Sequence, residues 1–349
     1  LLVLLDFKKA FDLVNHNKLL LKLKTKFNFS IRSCKFIQSY LKERCQKVRC
    51  GDDLSNVVPV TSGTPQGGIL SSLLFSLFIN DLSEVVNIPL HLYADDSELY
   101  CFSPENEVHK CVEKMNYELS LVNDWALENS VSINPLKSKA ILISKAKIDS
   151  PPPVVIDSNI INYCQSVNSL GLIINSDLKW DNHVTKMCNE INGGLCMLRQ
   201  SQDLTPLPTR MKLIKALIIP KYLYCSYIYI GCSRALWDKI NLTFNSCLRY
   251  IYGIKRNQTV SSVRNSILGC PLEAYLKYRS CLFLFQLLRK KTPSYLYDKI
   301  IFPRYQRGRN LSKPSNRFSE QYRSSFFVYG IELWNSMSPE LRLLNSEMA

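Results

Sequence analysis

Three acidic residues stand where carboxylates are costly, and they constrain this chain more than any bulk property does. Asp6 directly follows the apolar run Leu1-Leu2-Val3-Leu4-Leu5, so it marks the end of a buried strand. Asp95 and Asp96 lie between the apolar half-strands Leu92-Tyr93-Ala94 and Leu99-Tyr100, which puts them at the tip of a hairpin. A carboxylate beside a core is unfavourable unless it is paired. If the two tips meet, three like charges converge and call for cations. Magnesium takes hard oxygen ligands and keeps places for water and substrate phosphates. Two such ions about 3.5–4 Å apart can stabilise both the attacking and the leaving oxygen of a phosphoryl transfer. An Asp-Asp pair alone reads as an ordinary turn; its flanks, together with Asp6, favour metal binding.

Around these acids the first half alternates strands and helices. Helical periodicity runs over Ala10 to Lys26, Ile31 to Tyr40, Leu70 to Leu82 and Val108 to Ser130. Val48 to Val60 reads as two strands about a Gly51-Asp52-Asp53 turn, and Ala140 to Ser144 as a short strand. The Gly/Pro loop Ser62-Gly63-Thr64-Pro65-Gln66-Gly67-Gly68 precedes the third helix. This order predicts an α+β domain, a sheet with helices packed on one face. Pro151-Pro152-Pro153 ends regular structure locally. Beyond Trp180 the pattern is helical: Val184 to Arg199, Thr209 to Leu223, Leu236 to Tyr252, Leu272 to Lys290 and Phe326 to Leu343.

Charge divides the chain. Residues 1–150 hold 18 Lys and Arg against 17 Asp and Glu, whereas residues 151–349 hold 26 against 12. The second half is therefore suited to a polyanion, with Lys212, Lys215, Lys221, Arg304, Arg307 and Arg309 as candidate phosphate contacts and Tyr305 as a stacking partner. A solvated basic surface gives the same charge, and for each lysine singly that bland reading is favoured. The 13 cysteines and four histidines show no zinc-site spacing, so buried free thiols are expected. The most apolar late stretch, Leu213 to Cys232, is interrupted by Lys215, Pro220 and Lys221, so no membrane span is expected.

The segments Leu5-Asp6-Phe7-Lys8-Lys9-Ala10-Phe11-Asp12, Gly63-Thr64-Pro65-Gln66-Gly67 and Tyr93-Ala94-Asp95-Asp96, in this order, resemble the palm motifs of reverse transcriptases, best those of non-LTR (LINE-type, jockey-like) retrotransposons. Asn134-Pro135-Leu136-Lys137, Leu170-Gly171, Trp180 with His183, and Trp334-Asn335 extend the resemblance along nearly the whole chain. It implies a polymerase palm over residues 1–178 that lacks most of the fingers, a helical thumb over 179–265 and a basic C-terminal region over 266–349. The implied activity is RNA-directed DNA synthesis used in target-primed copying, with an RNA template, a DNA primer, deoxynucleoside triphosphates and two Mg²⁺ ions, Mn²⁺ being the alternative.

Position by position, the resemblance makes Asp6 and Asp95 metal ligands, with Asp96 completing the acidic cluster and the Phe7 carbonyl adding a ligand. Phe11 becomes a steric gate against the ribose 2′-hydroxyl. Gln66 and Gly67 contact the incoming nucleotide, Tyr93 shapes the floor under the primer end, and Lys137 stands near the triphosphate, with Lys139 equally basic. Asp12 and His16 take structural roles. Gly68 stands where Ser or Ala is usual, Ser72 where Pro is common, and Ser97 where Thr is usual. The chain opens in mid-strand without Met, which suggests a fragment; the resemblance implies that without the fingers it polymerises weakly or not at all alone, and that the parent protein is intracellular, in the cytoplasm and nucleus. Two further readings remain: a group II intron or retron enzyme, and a decayed copy that binds nucleic acid without catalysis.

Overall fold

The computed structural model describes residues 1–145, 148–303, 310–313 and 320–343. Two compact units divide the chain: Leu1–Gly171 with Asn175–Asp177, and Leu172–Ile174 with Leu178–Ala349.

The first unit is built on β1 (Leu2–Leu5). Between this strand and its sheet partners lie the two-residue strands β2 (Cys45–Gln46), β3 (Arg49–Cys50), β4 (Asp53–Leu54) and β5 (Val58–Pro59). The sheet is completed by β6 (Leu90–Tyr93), β7 (Asp96–Tyr100) and β8 (Lys139–Ile141), in the antiparallel order β6-β7-β1-β8. Val3, Leu5, Leu99 and Ala140 are buried on one face. Opposite them stand Leu4 and Glu98, paired across the ladder. Helices α1 (His16–Thr25), α2 (Ile31–Leu41), α3 (Ser71–Ile79) and α4 (Val108–Glu128) bring Leu19, Leu23, Phe75, Phe78, Met115, Leu119 and Trp125 into the same core. The hairpin β9 (Val154–Ile156) and β10 (Asn159–Ile161) packs on α4.

The first helix begins later than its periodicity predicts. Asn15 caps α1 by accepting from Lys18 N–H, while residues 8–13 form turns around Lys9, whose φ is +45°. The proline run lies outside any element, as predicted, and β9 starts directly after it.

In the second unit, α5 (Asp181–Arg199) packs against the long α9 (Arg234–Tyr252), Ile191 and Leu195 sharing a core with Phe244, Cys247, Leu248 and Ile251. Gly253, at φ +66°, supplies the left-handed residue that closes α9. Between them come α6 (Leu207–Leu213), a π-helical turn at Ile214–Ile218, α7 (Ile219–Leu223) and α8 (Ser226–Tyr229). Pro220 has no N–H to donate to residue 216, and the widened turn lies just before it. The helix α10 (Leu272–Lys290) has the predicted bounds. Trp334 is buried, and the Asn335 amide is pinned to both backbone groups of Leu311, so this Trp-Asn pair serves packing. Of the candidate basic contacts, Arg304, Arg307 and Arg309, with Tyr305, lie outside the described residues.

The thiols depart from expectation. All 13 are free, yet only Cys101, Cys111, Cys188 and Cys247 are buried, and Cys45, Cys50 and Cys196 are exposed. No described helix is long and apolar enough to cross a membrane.

Candidate active site

The ladder between β1 and β7 places the acids. Leu5 pairs with Ser97 and Tyr93 with Asp96, so Asp6 continues β1 toward the level of Asp96, while Ala94 and Asp95 form the two-residue turn. Ala94 sits at φ +54°, a conformation that costs a non-glycine residue of order 1–2 kcal/mol. A two-residue hairpin turn favours positive φ at its first central residue, so the tight β6–β7 connection accounts for it.

The backbone around Asp6 is fixed from a third segment. Asn134 N–H donates to the Asp6 carbonyl at 2.7 Å, Lys8 N–H donates to Ser132 O at 2.8 Å, and Asp6 N–H donates to Ser138 Oγ at 3.2 Å. These bonds flank an antiparallel bridge between Phe7 and Ile133, a pattern that leaves the Phe7 carbonyl outside the ladder. The Phe7 ring is buried edge-on against Trp125.

A cleft of about 610 Å³ opens over this junction, lined among others by Asp6, Phe7, Phe11, Gln66, Asp95 and Lys137. These six candidates, drawn from four separate segments, therefore face one space. Gly67, Tyr93 and Asp96 are not among its lining residues. Lys139 is a strand residue paired with Leu4, which separates it from Lys137. Lys8, Lys9, Asp12 and Asn134 also line the cleft and escaped the sequence reading as site residues. Their signal was adjacency, since Lys8 and Lys9 follow Asp6 within two to three residues and Asn134 opens the segment that holds Lys137.

The loop carrying Gln66 is seated by the turn after Asp6. Gly63 N–H donates to Val14 O, Thr64 N–H donates to Phe11 O, and His16 Nε2 stands 2.7 Å from Gly63 O. A side chain at Gly63, which has φ +87°, would meet Asp12 O at 2.8 Å. Asp12 also accepts from Gln66 Nε2 at 3.0 Å. Gly67, at φ +77°, has open space where a Cβ would stand. At Gly68 a Cβ would meet the ends of the Tyr40 and Ser71 side chains, which would have to shift to admit it. Phe11 is half-buried and stacks on Phe75 with ring centroids 4.2 Å apart.

Electrostatics link the two tips. Partial burial raises the pKa of Asp96 above the ordinary carboxylate value, and the charges of Asp95, Glu98 and Asp6 add to the rise. Asp96 is exposed by surface area, so partial desolvation at the sheet edge leads the rise and the neighbouring like charges add to it. A ready-made three-carboxylate cage is not what forms. Among the described residues no three His, Cys, Asp or Glu side chains stand close enough to hold an ion unaided.

Residues 1–174 match the family of reverse transcriptases (RNA-dependent DNA polymerases). The chain is 25% identical to the RNA-directed DNA polymerase from mobile element jockey of Drosophila funebris, over 71% of this chain and 28% of that protein. It is 26% identical to the probable RNA-directed DNA polymerase from transposon X-element of Drosophila melanogaster, over 73% of this chain and 29% of that protein. The chain thus spans little more than a quarter of these relatives' length. A structure of telomerase from Candida albicans with a fragment of telomeric RNA aligns over 85% of this chain and 50% of its own, at 12% identity and a TM-score of 0.34. Residues 1–174 belong to the reverse transcriptase family.

Proposed function

We propose that this chain extends a DNA 3′-hydroxyl on an RNA template, with Asp6, Asp95 and Asp96 and the Phe7 carbonyl holding two Mg²⁺ ions, for which Mn²⁺ could substitute. The observation that carries this reading is the convergence of Asp6 and Asp95, distant in sequence, on one cleft with Phe11, Gln66 and Lys137.

The donor set fits magnesium. Carboxylate and carbonyl oxygens are hard ligands, and this ion is ordinarily held by one or two carboxylates together with substrate phosphates and water. An open pair of acids suits an ion that arrives with a nucleotide better than a closed cage would. Bound there, the ions would supply Lewis-acid stabilisation of the attacking and leaving oxygens.

The chain's own groups do the rest. The Phe11 ring, braced by Phe75, excludes a ribose 2′-hydroxyl and so selects deoxynucleotides. Gln66 and the left-handed Gly67 backbone meet the nascent base pair, where open space at Gly67 admits a base. Lys137 Nζ holds a proton for the leaving pyrophosphate. Tyr93, 67% exposed beside Asp96, supports the primer end. The helical residues 179–265 act as a thumb and the basic residues 266–349 contact the template–primer backbone. Target-primed copying by a longer retrotransposon protein is the setting.

Primer extension on an RNA template tests the reading, run with Mg²⁺ on wild type and Asp95→Asn beside Mn²⁺ titration by electron paramagnetic resonance. Weak extension that Asp95→Asn abolishes, with loss of Mn²⁺ binding, is expected. Equal extension by both proteins would remove the proposed site. RNA binding without extension or Mn²⁺ binding would instead favour a non-catalytic nucleic-acid-binding role.

A further inference from the structure

Residues 42–59 carry none of the matched motifs and line none of the cleft. Cys45 pairs with Pro59 and Gln46 with Val58, while Arg49 pairs with Leu54 and Cys50 with Asp53. Together these rungs make one two-stranded ribbon, and the slip in register between them marks a bulge on the return limb near Asn56. Every residue from Lys42 to Pro59 is exposed. Val48, Leu54, Val57 and Val58 keep 52–67% of their surface in solvent. A lone two-stranded hairpin is marginal in water, and exposed aliphatic side chains add to that cost. Such a ribbon gains order from whatever covers it.

Charge says what that is. The outgoing limb carries Lys42, Arg44, Lys47 and Arg49 against Glu43 alone, and the other acids, Asp52 and Asp53, sit at the tip. Arg49–Asp52, at 3.8 Å between highly exposed groups, is the one ion pair within the ribbon among the described residues. Alternation puts Lys47 and Arg49 on one face, about 7 Å apart along the strand, with Leu54 directly across from Arg49. The base of the ribbon is the bond from Val60 N–H to Arg44 O. Two residues on, Ser62 Oγ donates to the carbonyl of Asp12, a residue lining the cleft. The ribbon thus rises from the loop that delivers Gln66.

We propose that residues 42–59 form an arm lying along the sugar–phosphate backbone of the strand engaged at the cleft, with Lys47 and Arg49 on phosphates and Leu54 against sugar. This deepens the reading of the cleft as a template-copying site and rests on it.

The test is fluorescence anisotropy of the full chain with a labelled single-stranded RNA across a salt series. Wild type, Lys47→Ala/Arg49→Ala, Leu54→Ser/Val57→Ser and Lys110→Ala are compared, the last removing an exposed cation of α4. Each phosphate contact on a single strand contributes about 0.7 to the slope of log K against log salt, so the double alanine variant should lose about 1.4. Lys110→Ala should leave the slope in place. Circular dichroism checks the fold, which these exposed positions should not disturb. An unchanged slope in the double variant overturns the proposal, and so does absence of RNA binding by wild type at low salt. It is equally overturned if Leu54→Ser/Val57→Ser alters self-association by sedimentation while the salt slopes of both ribbon variants match wild type. A reduced slope with no primer extension supports the arm while sinking the polymerase reading, so the two failures are told apart.

Discussion

Lys22→Met should destabilise the first unit severely, because it strips the partner from a charge buried beneath the sheet. Lys22 Nζ donates to Asp81 Oδ1 at 2.6 Å and to Phe78 O at 2.8 Å, and it lies 4.6 and 4.8 Å from the ring centres of Phe78 and Trp125. Only 10% of the Lys22 side chain and 16% of Asp81 remain in solvent. Burial lowers the pKa of Lys22, while the hydrogen bond and charge of Asp81 oppose the fall. Methionine keeps the volume and the ring contacts. What it removes is the cation, leaving Asp81 with the Trp125 Nε1–H bond at 3.0 Å as its remaining described partner. Breaking one side of a buried pair costs about 3–5 kcal/mol.

The double variant Lys22→Met/Asp81→Asn removes both charges and keeps an acceptor for Trp125. Replacing a buried pair by neutral groups of similar volume is often close to neutral, so most of the loss should be recovered. Two compact units need not unfold together, so a local readout is required. Hydrogen exchange of peptides from α1 and α4 supplies one. The single variant should exchange about 10²- to ~4,000-fold faster there, since ~1.4 kcal/mol corresponds to tenfold, and the double variant should return most of the way. If the single variant exchanges like wild type, or the double is as labile as the single, the ion pair is not what holds these helices.

Three further outcomes follow from the site. Gly63→Ala should cost more stability than Gly67→Ala, because the first meets the Asp12 backbone at 2.8 Å whereas the second faces open space and bears only a left-handed φ penalty of about 1 kcal/mol; equal denaturation midpoints would contradict this. Asp96→Asn should stabilise the metal-free protein slightly. A carboxyl whose folded pKa is raised makes the protein lose stability as pH climbs from about 3.8 through the raised value, so the gain should appear at pH 7 and vanish at pH 3 in urea titrations. Phe11→Val should raise ribonucleotide use relative to deoxynucleotide use at least ~10-fold in single-nucleotide extension, a ratio that loss of packing against Phe75 alone would not shift.

Local pattern carried much of this architecture. The β6–β7 hairpin and the helix Leu272–Lys290 emerge where apolar periodicity and element boundaries coincide, although the turn falls at Ala94-Asp95 and Asp96, expected at the tip, is the first residue of β7 because it pairs with Tyr93. Periodicity failed at Ala10 to Lys26, since a left-handed Lys9 and the Asn15 cap start the helix at His16 without disturbing the apolar spacing. The hairpin β9–β10 was hidden by the proline run before it and by a turn of Asp157 and Ser158, both at positive φ without a glycine to announce it. Asp6, Phe11, Gln66, Asp95 and Lys137 could be named from motifs, but their meeting in one cleft, and the part of Asn134 and Ser138 in fixing Asp6, depend on pairings between distant segments that no local rule reports.

The acids around the cleft differ in a way that bears on their use. Asp12 is spent on structure, its carboxylate held by Gln66 and its carbonyl by Ser62. Asp6 has its backbone N–H and carbonyl both engaged, by Ser138 and Asn134, so its position is set without recruiting its side chain. Among the described residues no hydrogen bond or ion pair from the protein reaches the carboxylates of Asp6 or Asp95. Lysines 8, 9 and 137 share the cleft without pairing to either acid. A fold seeking stability would have closed such a pair, because partial burial raises the proton affinity of Asp96 and the unpaired carboxylates nearby add to the rise. Hydrogen-bonded backbone with open side chains is the arrangement the proposed cation-dependent reaction would use, since ligands already bonded to lysine would have to be released before an ion could bind.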